Sequence, residues 1–210
     1  GGEGVSRRQI IVGVTGASGA LYAGRLLRGL LRGGHMVHLV LSKYGRYLMV
    51  EELGFEPAKE SVLEFLVRLY GEEVENGELQ EYGIGDIACT IASGSVRIDG
   101  MVVVPCSMKT LAGIANGLAS NLIERAADVS LKERRPLIVV PRDTPLHLIQ
   151  LRNMATIAEA GATVLPAMPA FYQNPKSFDD LGDFLAGRIC DLLGIDNALF
   201  PRWEGGRKAR

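Results

Sequence analysis

Gln9 to Gly19 reads QIIVGVTGASG, an apolar run rich in β-branched residues that meets Gly13, Gly16 and Gly19, spaced three apart. The run predicts a buried parallel strand, and the glycines let the chain turn sharply at its carboxyl end. Ala20 to Leu31 then carries leucines at helical spacing, which completes strand, tight loop and helix, the first half of a βαβ unit. Ligands of such sheets sit outside the carboxyl ends of the strands, against free N–H groups at a helix start that favour an anion. The glycine spacing is not the dinucleotide fingerprint, and no Lys-Ser or Lys-Thr follows as an ATPase phosphate loop requires. A second loop repeats the logic. Met101 to Pro105 (MVVVP) leads into Cys106-Ser107-Met108-Lys109-Thr110, where Ser107 and Thr110 are placed so that one caps the next helix while the other faces a ligand. A phosphate would accept from both hydroxyls and the nearby N–H groups.

Other chemistry-bearing residues fall at comparable places. Ser42 ends the strand His35 to Leu41, ahead of a helix Tyr44 to Leu53 whose Glu51 and Glu52 read as solvated. Arg142-Asp143 follows the strand Pro136 to Pro141, and a guanidinium beside a carboxylate there serves either structure or catalysis. Arg125 and Lys132, seven residues apart on the amphipathic helix Asn121 to Arg135, share one face with Asp128 between them, the pattern of a solvated ion-pair stripe. Ser93 and Ser95 flank Gly94, where they either hydrogen-bond a ligand or cap the next helix. Cys106 is a nucleophile or a small buried thiol, and no histidine accompanies it. On the proline-stiffened loop Pro166 to Tyr172 the aromatics are either core plugs or ligand walls.

These residues need an α/β scaffold, and the rest of the chain supplies its pieces. A chain of 210 residues fits one α/β domain with a substantial core. A net charge of −1 with 22% charged residues gives no footprint for nucleic acid, and no apolar run approaches bilayer length. Cys89, Cys106 and Cys190 are widely spaced and odd in number, which suits a reducing compartment, and the protein reads as cytoplasmic. None of the three histidines, His35, His38 and His147, stands at a ligand spacing, so no metal is expected; His35 and His38 should flank or face a strand. Phe55 to Tyr82 is glutamate-rich and should form variable surface structure, with one helix from Ser61 to Tyr70. Helices Leu146 to Ala160 and Asp179 to Leu193 enclose a short strand Ala162 to Leu165. Residues 1–7 are expected to be disordered and 8–196 to form the functional domain. Residues 197–210 form a tail whose sole tryptophan, Trp203, packs on the body or on a neighbouring subunit.

Several stretches carry a resemblance in joint order and spacing: TGASGALYAGRLL at Thr15, PCSMKTLAGIANG at Pro105, NLIERAADVSLKERRPLIVVPRDTPL at Asn121, NMATIAEAGATVLPAMPAFYQNP at Asn153 and PRW at Pro201. From about Ile10 to Trp203 the chain resembles the UbiX-type flavin prenyltransferases. That resemblance implies a three-layer, Rossmann-like (flavodoxin-like) parallel sheet flanked by helices. It also implies transfer of a dimethylallyl group from dimethylallyl phosphate to N5 and C6 of reduced FMN, without a metal, with the prenylated FMN passing to a UbiD-type decarboxylase. Carried over by position, FMN would be held by Gly16, Ala17, Ser18, Ser42, Ser107, Met108, Lys109, Thr110 and Arg142. Arg125, Lys132, Tyr172 and Arg188 would hold the prenyl phosphate, with Ser93 and Trp203 also on the substrate side. Ser18, Glu52 and Asp143 would be catalytic, Glu52 reaching a site formed between the subunits of a dodecamer built from trimers. The family usually has glutamate where this chain has Asp143. Two alternatives share the fold or the flavin. A cysteine decarboxylase of the phosphopantothenoylcysteine type is opposed by the lack of histidine from Lys43 to Glu52, and a non-catalytic flavin-binding subunit would leave Arg125, Lys132 and Arg188 without a phosphate.

Overall fold

The computed structural model describes residues 6–202. Its order of elements is β1 (Gln9–Val14), α1 (Ala20–Arg32), β2 (Met36–Leu41), α2 (Lys43–Leu53), α3 (Val62–Tyr70), β3 (Glu78–Tyr82), β4 (Gly100–Cys106), α4 (Met108–Ala115), α5 (Leu122–Lys132), β5 (Leu137–Pro141), α6 (Leu148–Glu159), β6 (Thr163–Val164) and α7 (Phe178–Leu192). The six strands form one parallel sheet in the order β3-β2-β1-β4-β5-β6. The chain winds outward from β1 in one direction and then returns to lay β4 on its other side. The carboxyl ends of β1 and β4 therefore form the switch point where sheets of this kind open a crevice.

Helices cover both faces, which explains why β1, β4 and β5 read as continuous apolar runs. Ile10, Val12, Val14, Val102 and Val104 face a layer that includes Leu27 of α1, Met49 of α2, Phe65 of α3 and Ile189 of α7. Ile11, Met101, Val103 and Val139 face the opposite layer, with Ile114 of α4, Ile123 of α5 and Ile157 of α6. The helix starts follow sequence rules: Ser61 and Glu64 make a reciprocal capping box on α3, and Asn121 caps α5.

Two segments depart from expectation. The stretch read as variable surface contains β3, whose ELQEY sequence pairs in register with β2 from Met36↔Glu78 to Val40↔Tyr82. It is an edge strand with a polar residue on each face, Glu78 exposed and Glu81 paired with Arg46 of α2, so the apolar signature of its inner neighbours is missing. Ser93 caps no helix, because the chain runs on to β4; its Oγ lies 2.9 Å from Ser95 Oγ within the turn. At the carboxyl end, Leu199 seats against Gly29 of α1 and Phe200 against Gly187 of α7. Most of the segment expected to be disordered, residues 1–5, lies outside the described residues, and so does Trp203. Arg7, the last residue of that segment, pairs with Glu78 at 3.2 Å.

The join between β1 and α2 is close. A Cβ on Gly45 would collide with the Val14 carbonyl oxygen. Gly45→Ala should therefore lower stability by about 1–3 kcal/mol through forced displacement of α2, outweighing a helix-propensity gain of about 0.5–1 kcal/mol. A urea midpoint equal to or above that of the parent would contradict so close a contact.

Candidate functional site

The crevice is built around Thr15, which is only 2% exposed at the end of β1. Its hydroxyl donates to the Pro105 carbonyl at 2.8 Å and accepts the Ser107 N–H at 2.8 Å, while its own N–H donates to Pro105 at 3.2 Å. The loops after β1 and β4 are thus tied to each other through one side chain. Ser42 N–H donates to the Val14 carbonyl at 2.9 Å, adding the end of β2 to the assembly. Ser42 Oγ then accepts the Gly45 N–H at 2.9 Å and caps α2. Ser107 Oγ accepts the Thr110 N–H at 3.2 Å, caps α4, and donates to Thr110 Oγ1 at 3.0 Å. Each cap takes one N–H of its helix start and leaves others free.

These starts open on a cavity of about 690 Å³ lined on one side by Gly16, Ser42, Ser107, Lys109 and Thr110. Two helix amino termini, hydroxyls and a lysine form a positive concave wall suited to an anionic group. Asn116, Asn121 and Glu124 also line the cavity. Glu124 is 5% exposed, accepts from the Ser120 hydroxyl, and fits because Gly113 has no Cβ. Sequence reasoning passed over Thr15, Tyr44, Asn121 and Glu124 as wall residues. A threonine directly after a buried strand was the available signal for the first, and Glu124 is hidden in an ordinary helix-start pattern.

A second corner lies at the start of α1. Ser18 Oγ donates to Glu52 Oε2 at 2.6 Å, and the Gly19 and Ala20 N–H groups both donate to Oε1 at 2.9 Å. Glu52 is exposed, as its helix position suggested, but it is also engaged: it sits as a counter-charge on the amino terminus of α1. Burial raises its pKa, but the bonds from Ser18, Gly19 and Ala20 and the field of Arg142 outweigh that, and the net shift is downward. Arg142 runs beside Gly19, and its buried Nε has no hydrogen-bond partner among the described residues. Tyr22 packs on the same glycine; burial raises its phenol pKa, with Arg142 acting in the opposite direction. Asp143 is exposed and accepts the Thr144 N–H at 2.8 Å. Among the described residues no ion pair joins it to Arg142. Both line a smaller recess of about 310 Å³.

The remaining cations are divided between the faces of the sheet. Arg125 and Lys132 are exposed on α5, and among the described residues neither makes an ion pair, so the stripe is uncompensated rather than self-paired. Arg188 lies on α7, against the other face, and is bonded to Asp191 at 2.9 Å. Tyr172 is 61% exposed and meets Phe184 edge-on. Within one chain these four residues do not converge. Ala17 is buried in the first loop, and Met108 begins α4. Ser93 does not line the cavity. Cys106 is fully buried and burial pushes its thiol far up, which makes it inert. His38 bridges Tyr82 and Gln9, His35 accepts from Arg8 N–H, and His147 caps α6. Among the described residues no group of three or more His, Cys, Asp or Glu could hold a metal ion.

The Glu52 arrangement has a pH signature. Because its pKa is depressed on folding, its stabilisation is present above the unfolded value, about 4.3, and is lost as pH falls through the folded value. Glu52→Gln should thus be less stable than the parent at pH 7, with the gap closing towards pH 3. Denaturation midpoints at the two pH values measure it, and a constant gap would rule out a role for the ionised carboxylate.

The chain matches the family model Flavoprotein over residues 3–189. It is 48% identical over 192 residues to the flavin prenyltransferase UbiX of Alkalihalophilus pseudofirmus, a match covering 91% of this chain and 94% of that one. The crystal structure of AnUbiX in complex with FMN and dimethylallyl pyrophosphate superposes with a TM-score of 0.85 at 42% identity, covering 96% of this chain and 100% of the other. A dodecameric FMN-dependent UbiX-like decarboxylase from Escherichia coli O157:H7 gives a TM-score of 0.81 at 40% identity, covering 94% and 100%. With 48% identity to a curated flavin prenyltransferase, a parallel sheet of matching architecture and a crevice at its switch point, this chain belongs to the UbiX family of flavin prenyltransferases.

Proposed function

We infer that the protein joins the dimethylallyl group of dimethylallyl phosphate to N5 and C6 of reduced FMN, making prenylated FMN for a UbiD-type decarboxylase. The observation that carries this is the crevice between β1 and β4, where two helix starts, Ser42, Ser107 and Lys109 converge in a chain 48% identical to a flavin prenyltransferase. The residues fit FMN. The positive wall suits its phosphate, with Ser42 and Ser107 to Thr110 as ligands. Gly16, Ala17 and Ser18 shape the loop towards Arg142, whose unpartnered Nε can donate to a flavin acceptor.

When bound and reduced, the flavin supplies the nucleophilic N5 and then C6. The chain's own residues serve the departing phosphate and the protons. Breaking the allylic carbon–oxygen bond concentrates negative charge on the phosphate, and fixed cations lower that barrier. Arg125 and Lys132 are available for this because no ion pair among the described residues neutralises them. Since Arg188 and Tyr172 lie on the other side of the sheet, the complete cradle is assembled from neighbouring copies, in keeping with a homododecamer of trimers. Ser18 Oγ, held 2.6 Å from the Glu52 carboxylate, can shuttle a proton in either direction, and the exposed Asp143 carboxylate can take or return another. Its shorter side chain either draws the backbone closer than glutamate would or works through a water. Residues 8–196 form the flavin-binding unit, with the following segment docked on it. Three free thiols support a cytoplasmic location.

The cysteine decarboxylase alternative is weakened because α2 and its cap carry no histidine. The carrier alternative leaves Arg125 and Lys132 without a function. Anaerobic incubation with reduced FMN and dimethylallyl phosphate should give a flavin one prenyl unit heavier by mass spectrometry, and unmodified flavin would refute the assignment. Asp143→Asn should slow product formation by about a hundredfold with FMN still bound; an undiminished rate removes that carboxylate from the mechanism. Replacing Arg125 or Lys132 with Met should raise KM for dimethylallyl phosphate by about ten- to a hundredfold, the scale of a charged hydrogen bond.

A further inference from the structure

Asp191 stands one turn after Arg188 on α7 and gathers four donors. Its Oδ2 accepts from Arg188 Nη1 at 2.9 Å and from Arg202 Nη1 at 2.6 Å. Its Oδ1 accepts from Arg202 Nη2 at 2.9 Å and from Asn197 Nδ2 at 2.9 Å. That fills the roughly four lone-pair sites a carboxylate offers. The Arg202 guanidinium is itself fixed, 4.3 Å from the Phe200 ring centroid and donating to the Asn197 carbonyl at 3.2 Å. Phe200 and Tyr172 both pack edge-on against Phe184, with centroid separations of 5.0 and 6.3 Å. The segment following α7 thus links Arg188 to Tyr172 through a closed set of contacts.

Two guanidinium groups share one carboxylate, so the cluster keeps one positive charge in excess. Arg188 spends a single N–H on Asp191; its Nε and Nη2 make no hydrogen bond among the described residues. An arginine held by one edge presents the other to a phosphate already oriented, and the rotamer freedom it would lose on binding is lost beforehand. Arg202 has a separate effect. Because it takes Asp191 bidentately, the carboxylate cannot close on Arg188 in the same way and occupy the fork that an anion needs.

We propose that Asp191, clamped by Arg202, is a positioning residue that orients Arg188 for recognition of the prenyl phosphate, so that the segment after α7 tunes substrate affinity without touching the flavin. This rests on the reading of Arg188 as a phosphate ligand. The hydrogen bonds from Arg202 hold the Asp191 carboxyl below the usual carboxylate range against an opposing effect of burial, which keeps the post ionised.

The test is steady-state kinetics of the full-length protein with reduced FMN, varying dimethylallyl phosphate, on Asp191→Asn, Arg202→Met, Arg202→Lys and Arg188→Met. Asp191→Asn and Arg202→Met should each raise KM about tenfold, the scale of one charge-assisted hydrogen bond, with kcat within about twofold and FMN affinity unchanged. Arg202→Lys should recover part of the loss, and the double variant should be no worse than either single one. If Arg188→Met raises KM while the folded Asp191 and Arg202 variants do not, the positioning role is overturned and the contact is only an anchor for the chain end. If Arg188→Met itself leaves KM unchanged, the phosphate-ligand reading fails, and this proposal with it. Should Asp191→Asn not fold, the Arg202 pair decides alone.

Discussion

The site depends on one buried hydroxyl. Thr15 bonds to Pro105 and to Ser107 at once, and so fixes the distance between the two loops that flank the switch point of the sheet. Parallel strands alone would set the spacing of their carboxyl ends but not the conformation of the loops leaving them. With the loops pinned, the caps on α2 and α4 fall into place, and residues of both helix starts line one cavity.

The close contacts around that hydroxyl have a common cause. Gly16 lies against Tyr44, Gly45 against the Val14 carbonyl and Gly113 against the Glu124 carboxylate, each nearer than a side chain would permit. Small residues are placed where backbone must meet backbone or a charged group must be buried, and larger apolar residues fill the layers behind. The result is a rigid rim on a well-packed core, an arrangement that preorganises binding groups rather than leaving a ligand to order them.

Much of this was legible in the residues. The inner strands announce themselves because both of their faces are buried, and the glycine loop, Ser42 and Ser107 lie where strand-to-helix punctuation puts them. The edge strand β3 was not legible, since its polar residues fall on both faces, one of them tied to Arg46 of α2, and imitate a loop. Nor was the partner of Glu52: the bond to Ser18 spans 34 residues and depends on how α2 packs against α1, which no local pattern encodes. The division of Arg125 and Arg188 between opposite faces needs the topology as well. Helical periodicity tells which residues share a face of one helix, not which side of the sheet that helix covers.

Glu52 also bears on the direction in which a ligand lies. Of the three helix starts near the switch point, the one belonging to α1 is already satisfied by this carboxylate, while those of α2 and α4 keep donors to spare. A polarity is therefore built into the crevice: the α2 and α4 starts stay electropositive, while the Ser18 corner carries its own counter-charge beside Arg142.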